Sequence, residues 1–178
     1  MANPFAGYDN IVCFLAPQDI VSTATTCPYV DLRNAQKAWF LIQFGAVTST
    51  TVTDDWTITI EAATAEGGTE AAIAFRYRLS GAVGANTWGA ITSAATTGVA
   101  VAPDANDNMG YLIEIDPDEL AANDYRYARA VLTDVDAEAT LVAGFAFLEA
   151  RYKQTTHIAL PHPHQRSFIN EPCGSSIT

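Results

Sequence analysis

Positive charge is scarce in this sequence. Lys and Arg total 9 against 20 Asp and Glu, a formal net charge of −11 over 178 residues. Only Lys37 and Lys153 are lysines, and the densest basic spots are Arg76 with Arg78 and Arg126 with Arg129. A net anion repels phosphate backbones and anionic lipid, so neither nucleic acid nor a membrane surface is an expected partner. Cysteine is sparse as well. Cys13, Cys27 and Cys173 are an odd number, too widely spread for a disulfide framework or a paired-cysteine zinc site. No basic residue precedes Arg33, so a signal peptide's charged start is not expected. Nor does any apolar run approach the ~20 residues of a membrane span.

What remains is rich in core-forming residues. Hydrophobic residues make up 49% of the chain and charged residues only 16%, which excludes intrinsic disorder as the general state. Alanine is abundant but interleaved with Thr and Gly rather than with Glu and Lys, which argues against long solvated helices.

Strand periodicity dominates instead. In "AWFLIQFGAV" (38–47), Trp39, Leu41 and Gln43 share one face while Phe40, Ile42 and Phe44 share the other. Both faces are largely apolar, so this strand is central or covered on both sides. "DWTITIEAAT" places Trp56, Ile58 and Ile60 on one face and Thr57, Thr59 and Glu61 opposite, the alternation of a strand with one wet side. "AIAFRYRLS" sets Ile73, Phe75, Tyr77 and Leu79 against Arg76 and Arg78. "IVCFLAPQDIV" and "CPYVDL", interrupted by Pro17 and Pro28, read as short edge pieces, because proline cannot donate to a ladder. "EGGTE" and "PDANDNMG" read as turns. In "YLIEIDPDELAANDY" a strand meets a short helix, with Asp116 as N-cap, Pro117 at the first position and Glu119 completing a capping box.

The pattern predicts an all-β fold: an antiparallel, jelly-roll-like β-sandwich of about eight strands. Residues 1–30 form an N-terminal extension with edge strands, 31–152 the sandwich body, and 153–178 an extended C-terminal arm. Within the arms, Pro4, Phe5, Tyr8, Pro161, Pro163, Phe168 and Ile169 are the expected partner contacts: apolar anchors, and prolines that lower the entropy lost on binding.

Few constellations carry chemistry. Asp54/Asp55, Asp104/Asp107 and Asp116/Asp118 lie in predicted turns, where aspartate bonds its own backbone. "DANDNMG" offers oxygens at Asp104, Asn106 and Asn108, but Met109 stands where a calcium loop needs glycine and Ile115 where it needs an acid. His157, His162 and His164 all lie in the arm, away from any rigid scaffold that would fix catalytic geometry. No catalytic residue, cofactor or metal ligand is therefore expected, and the chain is read as a non-enzyme. Trp39, Trp56, Trp88 and Tyr111 could line a sugar-binding face, although aromatics on strands are more often core.

The phrases "VDLRNAQKAWFLIQFGAV", "IAFRYRLSGAVGANTWGAIT", "YLIEIDPDEL" and "YRYARAVLT", in this order over roughly 29–152, resemble the capsid decoration (cement, or auxiliary head) proteins of tailed bacteriophages. The resemblance implies a β-sandwich protein bound in many copies to the outer surface of the head. There it would be an oligomer touching the major capsid protein and neighbouring copies of itself, after synthesis in the bacterial cytoplasm. Other readings are a tail, neck or fibre-base component and a carbohydrate-binding module.

Overall fold

The computed structural model describes residues 10–20, 24–47, 56–102, 107–134 and 139–151. Two antiparallel sheets pack face to face. The first runs β1 (Asn10–Ile20), β12 (Thr140–Ala150), β4 (Ala35–Phe44), β10 (Gly110–Ile115), β7 (Phe75–Leu79), β8 (Thr92–Ala94). The second runs β2 (Thr25–Thr26), β11 (Tyr127–Asp134), β5 (Trp56–Ala63), β6 (Glu70–Ile73); β3 (Val30–Asp31) also pairs with β11, and β9 (Val99–Val101) with β5. The orders β1-β12-β4-β10 and β2/β3-β11-β5-β6 carry the chain repeatedly from one sheet to the other, the jelly-roll winding, with β2/β3, β5/β6 and β7/β8 as chain neighbours that share a sheet. An all-β sandwich was the expectation, and it holds. Among the described residues the strands number twelve rather than about eight, because several are only two to four residues long.

The alternation read from β4 and β5 is the one that builds the core. Ala38, Phe40, Ile42 and Phe44 face inward from β4, and Trp56, Ile58, Ile60 and Ala62 meet them from β5, all buried. The inward side chains of β11 include small ones, Ala130 beside Ile60 and Ala128 beside Ala62, both buried.

Two local departures from period two matter. β1 buries both Phe14 and Leu15, which a regular strand would point to opposite faces. Register shifts against β12 between Cys13 and Leu15, and again between Leu15 and Gln18, supply the bulges that allow it. Phe14 then lies over Gly144, where a Cβ would sit 2.4 Å from its ring, and against Phe40 at 5.0 Å between ring centroids. β1 is the edge of its sheet, and the bulges with Pro17 blunt that edge. The single strand expected over 72–80 is two strands in different sheets: the chain leaves β6 at Ile73 and enters β7 at Phe75. Ala74 is the crossing point, so Ile73 and Phe75 serve different sheets, a change that hydrophobic alternation cannot signal.

Asp116 caps α1 (Pro117–Ala121) by accepting from the Asp118 N–H at 2.9 Å, as the sequence indicates. Asp118 in turn accepts from Arg151 at 2.6 Å, and Arg151 donates its N–H to Asn34 at 2.8 Å. These contacts tie down the last described turn of the body.

Cys27 lies buried between β2 and β3, its N–H donating to Ala130 at 3.0 Å. Burial pushes its thiol up to about 12, against a smaller opposing pull from the Arg129 cation. Below about pH 9 both folded and unfolded chains keep this proton, so pH has no leverage there. Between about 9 and about 12 only the unfolded chain releases it, and stability falls as pH rises, by at most about 1.4 kcal/mol per pH unit. Denaturation curves at pH 8 and pH 10.5 should therefore separate more for the native chain than for Cys27→Ala. Parallel pH dependence in the two proteins would rule out the buried thiol as the cause. In the same spirit, a thiol reagent at pH 8 should label exposed Cys13 at once and Cys27 only on unfolding.

Candidate functional site

The outer face of the first sheet is where the molecule departs from an ordinary wet surface. Register alone assembles it. Ile11, Phe147, Trp39, Glu114 and Arg76 stand side by side in one cross-strand row over β1, β12, β4, β10 and β7. Two residues along, Cys13, Phe145, Leu41, Leu112 and Arg78 form the next. Five strands at ~4.8 Å spacing make each row about 19 Å long, and the rows lie about 7 Å apart. Each row is apolar over β1, β12 and β4 and ends on an arginine at β7.

The hairpin after β7 extends the band. Gly81 donates to Thr87 at 2.9 Å and Gly89 to Leu79 at 2.8 Å, which folds the 80–89 segment back and presents Trp88. Gly84, at φ +80°, permits the turn at its tip. Trp88 keeps 43% of its surface exposed, and Ile91 and Ile11 keep 53%. Trp39, Leu41, Leu112, Phe145 and Phe147 are half-buried.

Two shallow depressions mark the band. One, of about 300 Å³, is walled by Trp39, Leu41, Trp88, Leu112 and Phe147. Its neighbour, of about 250 Å³, shares Trp39, Trp88 and Leu112 and adds Arg76, Arg78 and Glu114 among its walls. Glu114 accepts ion pairs from Arg76 at 3.3 Å and Lys37 at 3.7 Å. Arg78 is exposed and has no ion-pair partner among the described residues.

The opposite face, on the second sheet, is polar, and its arginines pair with neighbouring carboxylates. Arg129 donates to Glu61 at 2.8 Å and Glu70 at 3.0 Å while its guanidinium lies 4.6 Å over the Tyr29 ring. Asp31 is held below the usual carboxylate range, chiefly by the side-chain hydrogen bonds from Arg33. These groups bind one another and leave little free for a partner.

The aromatics considered as a sugar platform divide between core and surface. Trp56 is fully buried, its indole N–H donating to the Thr140 hydroxyl at 3.2 Å, and Tyr111 is buried between Phe44 and Tyr77. Only Trp39 and Trp88 face outward. Asp107 accepts from the Val47 N–H at 2.7 Å, Asp116 caps a helix and Asp118 holds Arg151, so these carboxylates serve the backbone and local pairing. Among the described residues no group of three or more His, Cys, Asp and Glu is placed to hold a metal. Asp54, Asp55, Asp104 and Asn106 lie outside the described residues, as do the expected arm contacts Pro4, Phe5, Tyr8, Pro161, Pro163, Phe168 and Ile169, the three histidines and Cys173.

Sequence reading marked β4 as apolar on both faces but could not say which face stays open. Leu112, Phe145, Phe147 and Ile91 were not singled out. The one available signal was "LVAGFAFLEA", which is apolar in both phases of a strand, as "AWFLIQF" is. Comparison with protein-family models, with curated proteins and with solved structures finds no match to this chain.

Proposed function

We propose that this chain is a virion structural protein without enzymatic activity, a capsid decoration (cement) protein that binds the outer surface of a tailed-phage head and bridges its subunits. The observation that carries the reading is the apolar band from Ile11 to Leu112 on an otherwise acidic protein. A contiguous apolar face of several hundred Å² on a soluble domain marks an interaction surface. The strand phrases over 29–152 that resemble decoration proteins name the shell as the partner, together with neighbouring copies of the chain. The strong negative charge suits an outer surface better than one facing packaged DNA. In this reading residues 1–9 and 153–178 reach adjoining subunits, Phe168 and Ile169 acting as anchors, while residues 10–31 carry β1, β2 and β3 of the sandwich itself. The protein is made in the host cytoplasm and resides on the virion.

The test is attachment to particles that lack the protein. Trp88→Ser with Ile91→Ser removes two exposed side chains and should leave the fold intact while lowering particle-bound copies at least about tenfold, the scale of losing a buried interface anchor. Truncation after Tyr152 should weaken attachment separately. Full occupancy by both variants would remove the band and the arm from the interface. Copy number decides between head and tail: hundreds per particle support decoration, a dozen or fewer a neck or tail component. A carbohydrate-binding module remains a second reading because Trp39 and Trp88 border the same depressions; a glycan array on which Trp88→Ser changes nothing dismisses it.

A further inference from the structure

The two depressions beside Trp88 differ in chemistry. The larger is walled by hydrocarbon and indole alone, whereas the smaller adds two arginines and one glutamate to such walls. We propose that together they dock an acidic, apolar protein segment, with an aliphatic or aromatic side chain seated between Trp39 and Trp88 and a nearby carboxylate paired with Arg78. This rests on the outer face of the first sheet being the interaction surface, and it adds the chemistry of the segment that surface takes.

Charge is the first argument. In a chain of net charge −11, the arginine end of the band carries Arg76 and Arg78 against Glu114, and Lys37 is a second cation, beside Arg76, on that glutamate. Glu149 stands beside Lys37 in register, at the far side from Arg78. Glu114 is thus occupied by Arg76 and Lys37, and Arg78 is the guanidinium left without an ion pair among the described residues. Arg78 is exposed beside the indole and leucine side chains, and its planar, two-pronged donor set matches a carboxylate. A cationic or neutral segment would leave Arg78 without a counter-charge.

Wall chemistry is the second. Sugar sites combine a stacking ring with several convergent polar groups that meet the hydroxyls. The larger depression offers Leu41, Leu112 and Phe147 instead, with the indoles of Trp39 and Trp88 as its sole side-chain polar atoms. That lining accepts a hydrocarbon side chain, and the guanidinium beside it accepts an acid a residue or two away. Tryptophan and arginine at the centre of a patch are also the residue types that dominate protein–protein binding energy.

The experiment uses the full chain and three labelled 12-residue peptides, titrated at low salt. One alternates Leu and Glu, one Leu and Lys, one Ser and Glu. The Leu/Glu peptide should bind saturably and at least about tenfold more tightly than the other two. Arg78→Gln and Trp88→Ser, both at exposed positions, should each weaken it about fivefold to tenfold while circular dichroism and the unfolding midpoint stay unchanged. Equal binding of the Leu/Glu and Leu/Lys peptides overturns the proposal. So does insensitivity to both substitutions, or no binding of any peptide. Sedimentation showing a concentration-dependent dimer that Trp88→Ser abolishes would assign the band to a second copy instead. Preferential, Trp88-dependent binding of polygalacturonate would assign it to an acidic glycan. None of these assays uses particles, so their failure is separable from failure of the decoration reading, which particle copy number decides.

Discussion

Replacing Trp56 with alanine is expected to remove about 3–5 kcal/mol of folding stability, the range for truncating a large buried aromatic. Whole domains are stable by only roughly 5–15 kcal/mol, so the variant should sit close to unfolding at ordinary temperature. Two features put Trp56 at the top of the range. Its side chain is fully buried where β5 meets both β11 and β9. Its indole N–H also satisfies the buried hydroxyl of Thr140, across to the first sheet. Trp56→Phe keeps most of the packing but strands Thr140, and should cost less, about 1–2 kcal/mol for the unsatisfied group plus the lost ring volume. Trp88→Ser, on the exposed band, should move stability by no more than about 0.5 kcal/mol. Urea denaturation of the three variants gives the comparison directly. If Trp56→Ala and Trp88→Ser shift the midpoint equally, Trp56 is not the core residue described.

Gly98→Ala should be nearly as damaging although it adds a single methyl group. Gly98 closes the turn between β8 and β9 at φ +91°, a conformation that costs an L-residue about 1–2 kcal/mol. A Cβ there would lie 2.4 Å from the carbonyl oxygen of Ile58 and 2.7 Å from Cγ2 of Thr59. The obstacle is the backbone of β5, which cannot swing aside as a side chain can. We expect a total of about 3 kcal/mol, strain and displaced β9 pairing combined. Gly67→Ala is the control: φ is +73°, yet nothing lies within 4 Å of the added carbon, so the loss should stay near the conformational term of about 1 kcal/mol. Thermal midpoints of the pair test the argument. Equal losses would mean that β9 does not press on β5 through this glycine.

How much of the fold could be read beforehand is clearest in β4 and β5. The alternation of β5 named its buried face, because side-chain direction along a strand has a period of two whatever it packs against, whereas β4, apolar in both phases, gave its two faces without saying which is buried. Asp116 as a helix cap was equally legible, since a cap is satisfied within a few residues of itself. The bulge that buries Phe14 beside Leu15 was not legible, nor was the change of sheet at Ala74. Both depend on what the neighbouring strand does, which local pattern does not encode. The candidate site was half legible. Apolar residues in both phases of 38–47 announced an unusual second face, and Trp88 was among the aromatics picked out.

The sequence by itself determined the class of molecule: an acidic, all-β chain whose alternating segments must bury one face against another. It did so because composition and period act locally and survive any choice of pairing. Only the tertiary structure decided that β1, β12, β4, β10 and β7 lie side by side, and so that residues as distant as Ile11, Trp39, Phe147 and Arg76 share one row. It also sent Trp56 into the core and Trp88 to the surface, although both are tryptophans flanked by small or polar residues. Register is set by long-range pairing and by the turns that permit it, so a surface assembled across five strands emerges only when the jelly-roll winding closes.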